Sequence, residues 1–434
     1  MRKSSSLWLL IIPDVILFYA SLYLAILIRY PDSYNNINWQ AHFTPFSFLF
    51  AVWILVFFIY GLFDISSLRR YSGLVIKLTG ATLINLLAAI IYFYFQPNLI
   101  LTPRRFLLID IAVSFLLISA WHLLAKYFLK NRFYENLYLF SFDTELNDLE
   151  REIKHHSYLG YKVLGHLNPG QLSLQSIHNN ASIVLPDNLH SRPEVLQQFY
   201  TLRKNGVAFY NYRSFYENLL RRVYLAEINE LWFLENINYK EKRFYNFVKR
   251  FLDIIFGFLG TLIFLITFPL IALLIMLSSK GPILFIQQRV GKNGKIFKVY
   301  KYRTMKTDTA ANTWTSVNDP RVTFVGKFLR KSRIDEWPQF VNLLIGNMSL
   351  VGPRPEQPNI VEDLRKIIPF YDERHLVKPG ITGWAQINNI YAGSEEETKL
   401  KLQFDLYYVK HKSVFFDLEI ILKTIYYIFT WQGR

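Results

Sequence analysis

A chain of 434 residues that is 52% hydrophobic and 17% aromatic, with a formal charge of +16, is long enough for about three domains and unusually apolar for a soluble protein. A soluble nucleic-acid binder could carry that charge, but the apolar residues fall in long blocks, which points to a membrane protein, and a cationic cytoplasmic face beside anionic lipid explains the charge equally well. No cysteine is present, which excludes disulfides, thiolate catalysis and Cys-ligated zinc or iron–sulfur sites.

Residues 1–132 hold four blocks, roughly Leu7–Ile28, Phe43–Phe63, Leu74–Phe95 and Phe106–Phe128, each long enough to cross a bilayer. The first follows Arg2-Lys3 but is too long for a signal peptide and lacks a small-residue cleavage site, so it is read as retained. Asp14 and Asp110 lie inside blocks. Each is near a block end, which leaves a functional intramembrane acid and an interfacial one both open. Arg2, Lys3, Arg69, Arg70, Lys77, Lys126, Lys130 and Arg132 fall on one side of this predicted bundle, against Arg29, Arg104 and Arg105 on the other. The richer side is expected to be cytoplasmic.

Residues 133–239 alternate strand and helix patterns. Asn136–Ser141, Lys162–Leu167 and Ala181–Leu185 read as strands, and Thr144–His155 and Val195–Lys204 as helices. The alternation predicts a small Rossmann-like α/β domain. The turn after the first strand, Phe140-Ser-Phe-Asp143-Thr, has none of the glycines that let backbone approach a pyrophosphate. The domain is therefore expected to be structural or regulatory. Tyr158-Leu-Gly-Tyr-Lys162 has Tyr-x-x-x-Lys dehydrogenase spacing but lacks that glycine context, and His155-His156 has no partner at metal-ligand spacing.

Residues 240–434 begin with a basic stretch: Lys240 to Thr309 carries thirteen Lys/Arg against three acids. A fifth apolar block, about 251–279, lies between Lys249-Arg250 and Lys280/Arg289. Basic flanks on both sides disfavour a simple span. Pro269 removes a backbone hydrogen bond mid-block, and Thr267 could help satisfy what it frees. A re-entrant helix bending at Pro269 fits both facts; an ordinary kinked fifth span is the alternative. Phe285–Arg289 and Lys295–Lys301 then flank Asn293-Gly294, a hairpin signal. Val322–Lys331 reads as a short amphipathic helix.

That helix leads into Arg330-Lys-Ser-Arg-Ile-Asp335-Glu336-Trp-Pro338-Gln. Pro338 fits only the first turn of a helix, so the two carboxylates are placed at or just before a helix start, where anions are favoured. An acidic pair among arginines suggests phosphate chemistry assisted by a divalent metal. An N-cap Asp335 with Glu336 balancing Arg330 and Arg333 is the plainer alternative. Downstream lie Val351-Gly-Pro353-Arg354-Pro355-Glu and Lys378-Pro379-Gly380-Ile-Thr-Gly383-Trp384-Ala-Gln386. The aromatics of Glu395–His411 are read as packing, and Val414–Trp431 as a core or membrane-surface element.

The stretch from about Lys249 to Lys423 resembles the bacterial sugar transferases, the polyprenol-phosphate glycosyl-1-phosphate transferase family. The residues that carry the resemblance are Ser279-Lys-Gly281-Pro282, Gln288-Arg289-Val-Gly291, Lys301-Tyr-Arg303-Thr-Met305, Asn318-Asp-Pro-Arg321-Val-Thr, Leu329-Arg330, Asp335-Glu336, Val351-Gly-Pro-Arg354-Pro and Pro379-Gly-Ile-Thr-Gly383-Trp-Ala-Gln386. Four preceding spans and an α/β insert look like the large members, and Gln403-Phe-Asp405-Leu-Tyr-Tyr408 with Asp417-Leu is similar to the exopolysaccharide type. The chain departs from the pattern at Trp337, where leucine is usual. It also departs after Gln386, where Asn388-Asn389-Ile390-Tyr391-Ala392-Gly393 replaces a frequent Gly-Arg-Asn.

The resemblance implies a cytoplasmic-face enzyme of the bacterial inner membrane. Its fold would join four transmembrane helices, the Rossmann-like domain and a mostly helical catalytic domain with a re-entrant helix. It would transfer a hexose-1-phosphate from a UDP-sugar to undecaprenyl phosphate. Asp335 would be the nucleophile and Glu336 a Mg²⁺ ligand, while Arg330 and Arg354 clamp phosphates and Pro353 and Pro355 fix the backbone around Arg354. Lys301 and Arg303 are substrate candidates, with surface or lipid contact as the alternative. Expected partners are the sugar donor, the polyprenyl phosphate and membrane lipid, with no nucleic acid; a homodimer is left open. A non-catalytic scaffold of polysaccharide assembly and a membrane sugar-nucleotide dehydratase are the other readings, the second opposed by the missing glycine loop.

Overall fold

The computed structural model describes residues 2–31, 36–63, 71–95, 104–129, 134–140, 147–155, 160–168, 181–186, 189, 193–204, 206–237, 242–306, 319, 321–388 and 394–429. These divide into two compact units, Met1–Phe215 and Tyr216–Arg434. Residues 141–146, His156, Tyr158, Asn318, Pro320 and 389–393 lie outside the described set. The turn after the first predicted strand, the Tyr-x-x-x-Lys tyrosine and the stretch in place of Gly-Arg-Asn fall there.

In the first unit, α1 (Arg2–Arg29), α2 (Asn36–Ile59), α3 (Tyr71–Tyr94) and α4 (Arg104–Leu129) form a bundle. Together with one helix of the second unit they are long and apolar enough to cross a membrane, and the chain is a membrane protein. The two acids left open between interface and interior are both fully buried. Asp14 of α1 pairs with His122 of α4 at 3.0 Å, and Asp110 of α4 accepts from Ser21 of α1 at 2.9 Å. Polar side chains thus join α1 to α4 inside the bundle, as polar groups do where the alternative partner is hydrocarbon.

The same unit holds a four-stranded parallel sheet of order β2-β1-β3-β4, formed by β1 (Glu135–Phe140), β2 (Tyr161–Leu167), β3 (Ala181–Leu185) and β4 (Ala208–Asn211). Helices α5 (Asn147–His155) and α6 (Pro193–Lys204) come between strands, and Val195, Phe199 and Leu202 of α6 pack on Phe140 and Ile183. The three expected strands and two helices are present; β4 is additional, its half-buried Ala-Phe-Tyr-Asn too short to stand out by alternation. After α7 (Tyr212–Leu220), α8 (Glu230–Asn236) is capped by Asn229 and buries Trp232 and Phe233 in the core of the second unit.

The second unit is built around α9 (Arg243–Ser278), 36 residues long. Its helix runs through Pro269 without ending there. Pro269 removes the hydrogen bond to the carbonyl of Leu265. The Thr267 hydroxyl serves Ile263 and Phe264 carbonyls instead, at 2.8 and 3.2 Å. One stripe of α9 is buried from end to end: Tyr245, Asp253, Gly257, Gly260, Phe264, Ile271 and Ile275. Gly257 and Gly260 let Leu343, Leu344 and Phe340 come close; a Cβ at Gly260 would run into the Phe340 ring. Polar bonds fix the N-terminal half. Arg250 donates to the carbonyls of Leu343 and Leu344, both at 2.7 Å, and Asp253 accepts from Ser349 Oγ at 2.9 Å and Leu350 N at 2.8 Å. The other faces of α9 expose large apolar side chains, among them Phe258, Leu265, Ile266 and Leu277.

The expected hairpin follows as β5 (Leu284–Val290) and β6 (Ile296–Tyr302), antiparallel, turning through Asn293 (φ 56°) and Gly294 (φ 75°). Then come α10 (Phe324–Lys331), capped by Thr323, and α11 (Phe340–Ile345). Strand β7 (Ser349–Val351) pairs in parallel with β8 (Gly380–Thr382), on either side of α12 (Pro358–Ile367). The unit closes with α13 (Trp384–Ile387), α14 (Glu395–His411, with a Ser394/Glu397 capping box) and α15 (Val414–Phe429). The aromatics of α14 are core, as expected, packed on Trp384 and Phe416.

Candidate active site

The acidic pair sits on a 3₁₀ turn, Ile334–Gln339, between α10 and α11. Arg333 begins the turn in the left-handed region (φ 59°), which ends α10 and turns the chain sharply. Pro338 is inside the turn, as its fixed φ allows, and the turn continues into α11. Ile334 and Trp337 pack with Phe264, Ile271, Tyr302 and Leu329, so residues three apart, on one face of the 3₁₀ turn, go into the core of α9 and β6.

The two carboxylates have unequal surroundings. Glu336 is buried, and its Oε1 accepts from Lys301 Nζ at 3.0 Å and Arg354 Nη2 at 2.8 Å. Burial would raise its pKa, but the Arg354 and Lys301 charges outweigh this and hold it well below the usual carboxylate range. Asp335 has a buried Oδ1 with no hydrogen-bond partner. Burial, then the neighbouring Glu336 charge, push its pKa up to about 6. One carboxylate is locked and ionised; the other is unbonded, partly desolvated and still mostly ionised at neutral pH.

Around them stands a layer of cations. Lys301 comes from the end of β6, and burial lowers its pKa against the pull of Glu336. Arg330 leaves the last turn of α10, its Nε held by Thr304 Oγ1 at 2.9 Å, with Asp335 and Asp319 among its charge partners. The Thr304 carbonyl accepts from Thr323 N at 3.1 Å, and its closeness leaves no room for a side chain at position 326. Asp319, the described acid of Asn318-Asp-Pro-Arg321, is bound by Arg321 Nε at 2.8 Å and Nη2 at 2.6 Å.

Arg354 is presented by the tight β7/β8 pair. Gly352 N donates to Thr382 O and Gly380 N to Pro353 O, both at 2.9 Å. A Cβ at Gly352, Gly380 or Gly383 would collide with the facing backbone. Two motifs far apart in sequence are thus one backbone contact.

The structure brings Asp335, Glu336, Arg330, Lys301 and Arg354 together. Arg303 is elsewhere. Its guanidinium is buried and donates to the carbonyls of Pro282 and of Ser279 (2.6 Å), pinning the exit of α9. Five charged residues to which the sequence assigned no role surround the Arg354 segment: Arg289, Glu356, Arg374, Lys401 and Asp405. Lys401 and Asp405, four apart on the buried face of α14, were the readable signal, since charges on a core stripe require partners.

Mg²⁺ is usually held by one or two carboxylates together with substrate phosphates and waters, not by an all-protein cage. Among the described residues no three or more His, Asp or Glu gather as a cage. The Asp335/Glu336 pair, with one unpartnered buried oxygen, fits the sparser donor set.

Comparison with known proteins bears on the same region. The sequence profile described as bacterial sugar transferase matches residues 244–431. The exopolysaccharide production protein PSS of Rhizobium leguminosarum bv. phaseoli is 41% identical over 187 residues, 41% of this chain and 93% of that protein. The chain belongs to the bacterial sugar transferase family. Other members of the family are similar over the same stretch. The UDP-N-acetylgalactosamine-undecaprenyl-phosphate N-acetylgalactosaminephosphotransferase of Aeromonas hydrophila is 44% identical over 191 residues, 44% of this chain and 45% of that protein. The UDP-glucose:undecaprenyl-phosphate glucose-1-phosphate transferase of Escherichia coli (strain K12) is 46% identical over 186 residues, 41% of this chain and 39% of that protein. The matched stretch thus spans less than half the length of these two relatives.

Proposed function

We propose that this chain moves a hexose-1-phosphate from a UDP-sugar to undecaprenyl phosphate, releasing UMP and starting a lipid-linked glycan such as an exopolysaccharide, capsule or O-antigen. The observation that carries the proposal is the unequal carboxylate pair: Glu336 clamped by Lys301 and Arg354, and Asp335 with an unbonded buried oxygen. In the first half-reaction an Asp335 oxygen attacks the sugar-bearing β-phosphorus. A carboxylate–phosphorus bond forms, the bond to the bridging oxygen breaks, and UMP leaves with that electron pair. In the second, an oxygen of the lipid phosphate attacks the same phosphorus. The bond to Asp335 breaks, and the carboxylate is regenerated as the lipid diphosphate sugar departs.

Arg330 and Arg354 orient the phosphate oxygens, and Lys301 adds charge beside Glu336. Mg²⁺ held at Glu336 would supply neutralisation of phosphate charge. The relatives are named for N-acetylgalactosamine and for glucose, so the hexose is left unspecified. Incubating membranes with a panel of UDP-sugars, with and without undecaprenyl phosphate, and scoring UMP tests the reading. Release by the wild type and none by Asp335→Asn is expected; UMP release that survives Asp335→Asn would remove the nucleophile.

We further infer that α9 is re-entrant and that the catalytic unit faces the cytoplasm, the middle sheet being a Rossmann-like structural or regulatory module. Support comes from the basic flanks of α9 and from the burial of one stripe along its whole length against the same unit. A helix crossing the bilayer would have to carry the residues packed on it between Gly257 and Ile275, Leu343, Phe340, Tyr302 and Leu329 among them, into hydrocarbon. Tags at Ser279 and Arg434 should both report cytoplasm; an external signal at either would overturn the topology.

A further inference from the structure

Residues 353–356 form no helix or strand, yet all four of their carbonyl oxygens are hydrogen-bonded. Pro353 accepts from Gly380 N at 2.9 Å, Arg354 from Arg374 Nη2 at 2.9 Å, Pro355 from Arg289 Nη1 at 3.0 Å, and Glu356 from Val290 N at 2.9 Å. The donor to Arg354 is itself tightly held. Arg374 is 2% exposed; its Nε and Nη2 reach Asp405 Oδ2 at 3.0 and 2.8 Å, and its Nη1 reaches Tyr371 Oη at 2.9 Å. One helical turn from Asp405, Lys401 pairs with Glu356. Every nitrogen of the Arg374 guanidinium is therefore committed, one of them to the main chain of the residue whose own guanidinium meets Glu336.

We propose that Arg374, fixed by Asp405 and Tyr371, is a positioning residue for phosphosugar transfer: it holds the Arg354 backbone so that the Arg354 guanidinium meets Glu336 and the donor phosphates in one orientation. This rests on the transferase reading above. The competing account is that the Arg374–Asp405 pair only stabilises the fold. Buried ion pairs are often replaceable by apolar pairs without loss of stability, whereas a catalytic group displaced by about 1 Å can lose roughly 100-fold in rate. The two accounts therefore part in a double variant.

The experiment compares full-length wild type, Arg374→Lys and Arg374→Met/Asp405→Leu in detergent. Melting temperature, UMP release against donor concentration, and amide exchange of the peptide covering residues 352–357 are measured. Positioning predicts variants that melt near the wild type but lose at least tenfold in kcat, with a smaller change in donor KM. Exchange of the 352–357 peptide should be faster. A folded double variant with wild-type turnover and exchange overturns the proposal. Arg374→Lys keeps the charge opposite Asp405 and decides the matter if the double variant does not fold. A wild type that releases no UMP from any UDP-sugar would strike the transferase reading alone, because the exchange comparison still tests whether Arg374 holds the segment.

Discussion

Neutralising either member of the acidic pair should abolish transfer, yet the two changes should shift stability in opposite directions. Asp335 rises from an ordinary 3.8 to about 6 because burial and Glu336 disfavour its charge. The folded state therefore holds this proton more tightly than the unfolded state, and stability falls as pH rises from about 4 to about 6. The full cost, about 3 kcal/mol, remains at neutral pH. Asp335→Asn carries no charge and should relieve it, raising the melting temperature at pH 7.5 by roughly 5–10 °C for a unit of this size. The gain should shrink to about 0.5 kcal/mol at pH 4, where Asp335 is protonated in the folded state. Glu336 is the reverse case. Its pKa is depressed, so its stabilisation is present above about pH 4.5, the ordinary glutamate value, and is lost as pH falls. Glu336→Gln takes away the hydrogen-bonded counter-charge of Lys301 and Arg354, leaving them the more distant Asp335 and, for Arg354, Glu356, and should cost about 3 kcal/mol at pH 7.5. Tryptophan-fluorescence melting of the full chain in detergent from pH 4 to 7.5 reads both. An Asp335→Asn protein that melts at or below the wild type at pH 7.5, or a Glu336→Gln protein that melts above it, would refute the account of the pair.

UMP release should fall about tenfold per pH unit below pH 6, since the attacking form of Asp335 is the carboxylate; a limb near pH 4 would mean an unperturbed acid. Gly380→Ala should abolish folding of the second unit or lower its melting temperature by more than 10 °C, because the new methyl meets Gly352 backbone; a melting temperature within 2 °C of the wild type would contradict the β7/β8 geometry. Arg303→Met should cost about 1–3 kcal/mol, by releasing two carbonyls at the exit of α9, and leave donor KM within threefold. A rise in donor KM above tenfold without loss of stability would return Arg303 to the substrate site.

The apolar blocks, the Asn293-Gly294 hairpin and the Pro338 turn were legible because periodicity and backbone restriction act locally. Arg354 and the glycines of both loops were visible as motifs, but their single purpose was not. Gly352 and Gly380 meet through a parallel pairing, and nothing local in a sequence encodes a parallel partner. Arg303 was left open between substrate and a surface or lipid contact, and its hydrogen bonds to the carbonyls of Pro282 and Ser279 are a third use of a guanidinium that depends on the fold. Arg374, Asp405, Glu356 and Lys401 come from three separated segments and meet only in the packed unit. For Asp14 and Asp110 the distance to block ends left intramembrane and interfacial placement both open, because their burial depends on partners more than 80 residues away.

The central claim is that Asp335 carries the phosphosugar between donor and lipid. Wild-type protein incubated with saturating UDP-sugar and no lipid acceptor should release UMP up to one equivalent, and the peptide containing Asp335 should gain the mass of one phosphohexose. The Asp335→Asn protein should do neither. Direct attack of lipid phosphate on the donor predicts no adduct and no UMP until acceptor is added. An enzyme active with acceptor but showing neither signal without it would contradict the covalent route.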